Sequence, residues 1–327
     1  MKVAELLAQR RADWQQLERE IDQLQARRRQ MTADRATRFA ELYRAACADL
    51  ARADAWQLPP RTVQYLHRLV GRAHNQLYRS RTFNFAVWGR VLLHEVPRRI
   101  VREPCVQLAF LLFWGVFFAS AFLAFSPATW PNYAEQMLTA AGIEQLETSF
   151  ANPLAGRELQ DDVVMTSLYI RHNTSIGLKC FAGGLLVIPG VFITLFNAAY
   201  LGAAFGYMAR PEVVEGVHFF EFVTAHGPFE LTAIVLSAGA GFRLGVAWLA
   251  PGRLCRLASL RRAAEEAMPV MGAAMSLFFL AALIEGFISP AALPWGVKLA
   301  VALFSAAVLV FYLVFLGSQR SGADAVG

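Results

Sequence analysis

Apolar residues in this chain recur first at helical spacing and then in unbroken runs. Over residues 3–29, Val3, Leu7, Trp14, Leu17, Ile21 and Leu24 fall on a heptad seam, which predicts a helix with one packing face. The polar run Arg27, Arg28, Arg29, Gln30 ends it. Thr32 or Asp34 then caps a second helix carrying Phe39, Leu42, Tyr43, Ala46 and Leu50 on one face. Leu58-Pro59-Pro60 breaks that helix, because proline removes a backbone donor and clashes with the preceding turn. A third helix over 61–79 gathers Val63, Leu66, Val70 and Leu77. Three amphipathic helices with short connections predict an antiparallel bundle over residues 1–82.

The pattern changes after that. Residues 83–103 place Phe85, Trp88, Leu92, Val96 and Ile100 on one side, with Arg90, Arg98, Arg99 and Arg102 elsewhere. That is the pattern of an interfacial amphipathic helix lying on a membrane, with Pro97 and Pro104 as bends. From residue 104 the apolar runs reach membrane length: 104–125 with no charge, then 176–208, 222–248, 267–288 and 293–316. The fold class is therefore all-α: a helical bundle followed by a polytopic membrane domain over 104–318, with a disordered tail at 319–327.

Charge sets the expected orientation. Residues 1–103 carry a net +9 and residues 104–327 a net −3. A basic half in front of a membrane half is a positive-inside signal, and no nucleic-acid motif accompanies it. The 127–171 stretch is long and acidic, with Glu135, Glu144, Glu147, Glu158, Asp161 and Asp162 against Arg157 and Arg171, as suits an outer loop. The 251–264 stretch, with Arg253, Arg256, Arg261 and Arg262, suits the cytoplasm. Parity then requires an odd number of crossings between them. The 176–208 run reads as two short helices meeting near Pro189-Gly190, giving about six spans with both termini cytoplasmic. One long tilted helix and five spans is the competing reading. The N-terminus has no apolar leader segment, so the chain is expected to begin in the compartment where it is made.

Composition adds little chemistry. At 56% hydrophobic and 17% charged residues the chain is too apolar for an ordinary soluble domain. Cys47, Cys105, Cys180 and Cys255 are scattered and read as structural thiols, not a disulfide or zinc framework. No nucleotide-binding, nucleophile-elbow or HExxH motif occurs, so the expectation is a non-enzyme without cofactor or metal.

The candidate functional residues lie in 222–248, where His226, Glu230 and Arg243 interrupt an apolar run. Each ionisable group costs ~2.5–3.5 kcal/mol at the centre of a membrane helix on insertion scales, so such groups face protein or water. His226 and Glu230 are one turn apart, and His226-Gly227-Pro228 predicts a break or helix start. A structural junction, an ion or ligand pathway, partner docking and a metal pair all remain open, the metal pair lacking further spaced ligands. Arg243 reads as a snorkelling residue. Asn197 is deep and needs a partner; Lys179 and Glu285 sit near helix ends; His67 and His74 read as a solvated or packed face. Gly239, Gly241 and Gly245 with Ser237, Ala238 and Ala240 form a small-residue face for close helix packing.

Several segments carry a resemblance. ELYRAACADLARA, YLHRLVGRAHNQLY and LLHEVPRRIVRE, then NTSIGLKCFAGGLLVIPGVFITLFNAAYLGA, AHGPFELTAIVLSAGAGFRLG, PGRLCRLASLRRAAEEAMPVMGAA and LIEGFISP, are similar to the stage II sporulation protein M family of bacterial membrane proteins. The likeness covers nearly the whole chain. RAHxxLY and the HGxxEL…AG block are its most specific parts. The chain departs at His172-Asn173, where the family often has paired asparagines, and at Asn197-Ala198, where it often has Asn-Gly. Asn173 is counted among the candidate polar residues with His226, Gly227, Glu230, Asn197, Glu285 and Arg243.

The resemblance implies a multi-pass bacterial plasma-membrane protein and brings no catalytic residues. The family's namesake is a membrane scaffold for cell-wall hydrolases during engulfment. Relatives in non-sporulating bacteria often neighbour genes for MoxR-type ATPases and von Willebrand factor A proteins. Membrane lipid and other envelope proteins are the implied partners, and a homo-oligomer stays open. The leading expectation is a non-enzymatic inner-membrane scaffold linking cytoplasmic and envelope partners. The alternative is a transporter or lipid-handling protein using His226, Glu230, Asn197 and Glu285; an intramembrane hydrolase is a third reading.

Overall fold

A computed structural model describes residues 3–26, 33–77, 89, 91–156 and 158–318. Outside them lie the arginine run 27–29 with Gln30, the Thr32 cap, Phe85, Trp88, Arg90, Arg157 and the 319–327 tail; the side chains of Val3 and Leu7 are likewise not described. The chain divides into two compact units, 1–85 and 86–327.

The first unit is a three-helix bundle of α1 (Val3–Ala26), α2 (Ala33–Ala55) and α3 (Pro60–Leu77). Trp14, Leu17, Ile21 and Leu24 of α1 are buried against Phe39 and Ala46 of α2 and Leu66, Leu69 and Ala73 of α3. The predicted seams therefore close on one another. Polar contacts fix the directions. Arg35 pairs with Glu20 and His74 meets Tyr43, so α2 runs against both neighbours. Tyr65 donates to Glu18, which places α1 and α3 side by side. Asp49, buried in the bundle, accepts from Arg10 Nε at 2.8 Å and from Trp14 Nε1 at 2.9 Å.

The second unit begins with a π-helical turn, Val91–Glu95, and the short helix α4 (Val96–Arg102). There follow α5 (Pro104–Phe125), α6 (Tyr133–Leu138), α7 (Ala140–Phe150), α8 (Leu159–Gly184), α9 (Ile188–Met208), α10 (Gly216–Val223), α11 (Gly227–Leu249), α12 (Arg256–Phe287) and α13 (Trp295–Val310), which continues as a π-helical segment Phe311–Leu316. Five of these are long and apolar enough to cross a membrane: α5, α9, α11, α12 and α13 with its continuation. The protein is thus an all-α membrane protein with several apolar helices.

α11 is the hub. Of its apolar window 72% is buried, against 17–39% in the other four, and it packs on α5, α8, α9, α12 and α13. Small residues allow this. A Cβ on Gly241 would collide with the backbone of Phe181, one on Gly184 with the backbone of Gly241, and one on Gly190 with Gly184. The ends of α8 and α11 and the start of α9 therefore meet backbone to backbone. Outward-facing side chains such as Leu111, Phe118, Phe192, Leu303 and Phe304 are mostly exposed, as lipid-facing positions are.

Four readings need adjustment. The 176–208 run does hold two helices, but the break falls at 185–187, before Pro189-Gly190, and the first helix starts at Leu159. The stretch read as an outer loop, 127–171, contains α6, α7 and the first half of α8. Of about six expected spans, five meet the length and apolarity of a crossing. The sixth long helix, α8, carries Asp161, Asp162, Arg171 and Lys179, yet packs on α9, α11 and α12. Finally, Val96 and Ile100 of the expected interfacial helix are buried against α11 and α12, so that face of α4 covers protein.

Candidate functional site

The 222–248 run is not continuous. α10 ends at Val223, a turn occupies 224–226, and α11 starts at Gly227 with Pro228 in its first turn, where a missing N–H costs nothing. The backbone carbonyl of His226 accepts from Phe229 and Glu230. His226 is thus the N-cap position of α11, and Glu230 lies in the first turn, where the helix dipole favours a carboxylate.

Tertiary contacts complete a polar cluster around this break. His226 Nε2 lies 3.6 Å from Glu230 Oε2. The other ring nitrogen, Nδ1, is 2.8 Å from Ser289 Oγ. Glu285, near the end of α12, brings its carboxylate into the same place: one donor atom from each of His226, Glu230 and Glu285 lies within 4.8 Å of the others. Asn173 of α8 donates from Nδ2 to Glu285 Oε2 at 3.1 Å. Lys298 of α13 donates to the Ser289 carbonyl at 2.7 Å. His226, Asn173, Glu285, Ser289 and Lys298 are all buried, so each polar group must find its partner inside the protein.

The remaining candidates lie elsewhere. Gly227 borders the cluster, but a Cβ there would meet open space, so its role is not steric. Asn197 donates to the Ile193 carbonyl one turn earlier on α9 and takes no part. Arg243 sits at the far end of α11. Its Nε is 3.1 Å from Glu266 Oε2 of α12 and 3.5 Å from Glu103 Oε2, the residue capping α5, so it bridges helices where snorkelling was expected. Lys179 is exposed. His67 lies 3.9 Å from Asp54, and both are largely exposed.

Sequence reasoning missed Ser289 and Lys298. Ser289 stands in the LIEGFISP block beside Glu285, and Lys298 interrupts an otherwise apolar run; a lysine there was the available signal.

Two family models match the chain. One, described as stage II sporulation protein M, covers residues 108–290 and so includes every member of the cluster except Lys298. The other, a domain of unknown function, covers residues 4–79, the three-helix bundle. No curated protein and no solved structure gives a significant match.

Proposed function

Because the chain belongs to the stage II sporulation protein M family, we propose that it is a non-enzymatic scaffold of the bacterial plasma membrane, joining cytoplasmic and envelope partners. The observation that supports this reading is the closed interior around α11. Its helices meet backbone to backbone at Gly184, Gly190 and Gly241, and around the α10–α11 break Asn173 bonds to Glu285, His226 to Ser289 and Lys298 to the Ser289 carbonyl. A transporter needs a water-accessible polar path to those groups. The 1–85 unit is the cytoplasmic partner module in this reading. A groove of about 440 Å³ between α1 and α3, lined by Arg11, Trp14, Gln15, Arg61, Thr62 and Tyr65, is its candidate contact surface.

The proposed orientation places both termini in the cytoplasm, on the strength of the arginines at 253–262 and the acidic 127–171 stretch. Cysteine labelling should read outside at Asn152 and inside at Arg256 and Ser318. A cytoplasmic signal at Asn152 would overturn that orientation. The scaffold role is tested by a photo-crosslinker at Thr62 in living cells, which should give a discrete adduct that Arg61→Glu weakens.

One observation favours a lipid-handling reading. A mainly apolar cavity of about 390 Å³ lies between α4, α5 and α11, lined by Val101, Val106, Phe110, Trp114, Val235 and Leu236. An acyl chain suits such a lining. Lipid movement in proteoliposomes that Val235→Trp blocks would move the assignment from scaffold to lipid handling.

A further inference from the structure

We propose that His226, Glu230 and Glu285 bind a divalent metal ion of the Zn2+ class, which pins the α10–α11 break to the end of α12. The donors come from three places: the turn before α11, its first turn, and the last turns of α12. Each supplies one atom, and the three atoms lie within 4.8 Å of one another. The sequence offers His226 and Glu230 as a local pair; the fold adds the third ligand.

The spacing separates this from a simple hydrogen bond. A nitrogen-to-oxygen hydrogen bond spans ~2.7–3.2 Å. His226 Nε2 and Glu230 Oε2 stand 3.6 Å apart, too far for that contact. Two ligands on a tetrahedral ion with bonds of ~2.1 Å stand ~3.4 Å from each other. The pair is thus already near ligand spacing. The Glu285 donor atom lies within 4.8 Å of the other two.

The surroundings are those of a ligand set. Metal-bound imidazoles keep the second ring nitrogen in a hydrogen bond that fixes ring orientation, and ligating carboxylates are themselves hydrogen-bonded. Here Nδ1 of His226 meets Ser289 Oγ at 2.8 Å, which leaves Nε2 facing Glu230. Asn173 Nδ2 holds Glu285 Oε2 at 3.1 Å. Lys298 in turn fixes the backbone of Ser289 through its carbonyl.

Charge points the same way. Two carboxylates this close repel when both are ionised, and a buried site gives them little water. Lys298 is directed at the Ser289 carbonyl. A divalent cation neutralises both carboxylates at once and uses the neutral imidazole as third ligand. An imidazole with two carboxylates suits Zn2+. The fourth position is left to water.

The site goes beyond the scaffold proposal and its test is independent of it. The full-length chain, purified in detergent with a tag that contains no histidine, is stripped with EDTA and titrated with Zn2+. Inductively coupled plasma mass spectrometry should then give about one Zn2+ per chain, with a rise in Tm on metal addition. Glu230→Gln and Glu285→Gln should each abolish both, and the double variant should lose no more than either alone. Asn173→Ala should weaken Zn2+ binding about 10–100-fold without abolishing it. A variant that fails to elute as a folded monodisperse species is replaced by the conservative His226→Gln, read the same way. Absence of bound Zn2+ in the wild-type chain, or equal binding by wild type and Glu285→Gln, overturns the proposal.

Discussion

Asn173 and Glu285 stand 112 positions apart in sequence and are joined by a hydrogen bond of 3.1 Å inside the helix bundle. That contact ties the middle of α8 to the end of α12, and both residues are buried. A buried carboxylate that loses a donor loses part of what offsets its desolvation. Asn173→Ala should therefore lower stability in detergent by about 1.5–3 kcal/mol. Asn173→Asp, which sets a second carboxylate against Glu285, should lower it further. Thermal unfolding in a mild detergent checks both, and an unchanged Tm for Asn173→Asp would mean that the contact contributes nothing.

The backbone contacts at α8, α9 and α11 predict a sharp division among the glycines. Gly241→Ala places a methyl group against the Phe181 backbone, and Gly184→Ala places one against Gly241. Overpacking of this kind costs about 1–3 kcal/mol. Gly115→Ala and Gly272→Ala meet open space and should be neutral or slightly stabilising, because alanine loses less backbone entropy in a helix. A thermal scan of the four variants separates the two groups; equal effects would refute the packing assignment.

Arg243 bridges three helices, through Glu103 at the start of α5 and Glu266 on α12. Its side chain is one quarter exposed, so water screens part of the interaction. Arg243→Met should cost about 1–3 kcal/mol, since hydrogen bonds to charged groups exceed neutral ones. Arg243→Lys keeps the charge but not the fork that spans two carboxylates, and should fall between. Tm values in the order wild type, Lys, Met are expected; Lys equal to Met would mean that charge alone has no effect.

The three-helix bundle should fold by itself. A fragment of residues 1–80 is expected to give a helical circular dichroism spectrum and a cooperative melt, because its apolar faces close on one another. Within it, Asp49→Ala removes the acceptor of Arg10 and Trp14 and should cost about 1–3 kcal/mol. Trp14 fluorescence reports the loss directly. A disordered wild-type fragment would show that the unit depends on the rest of the chain.

Much of the architecture was legible in the sequence because periodicity reports which face of a helix is covered. Trp14, Leu17, Ile21 and Leu24 were readable as one seam, and they form the bundle core with Phe39 and Leu66. The break at His226-Gly227-Pro228 was readable from proline chemistry, and α11 starts there. The family likeness was read over nearly the whole chain, and the stage II sporulation protein M model matches its blocks within residues 108–290, whereas the RAHxxLY block falls under the domain of unknown function at 4–79.

What periodicity does not carry is the identity of the covering group. Val96 and Ile100 share an apolar face that suits lipid as well as protein, and only packing on α11 and α12 decides between them. The same holds for polar residues in apolar runs. The sequence by itself determined that His226 and Glu230 share a helix face, because one turn separates them. Only the tertiary structure brought Glu285, Asn173, Ser289 and Lys298 to that face, and sent Asn197 and Arg243 elsewhere. The physical reason is that local geometry is fixed by helical rise and rotation, whereas the partners of a buried polar group are set by which helices cross and at what depth.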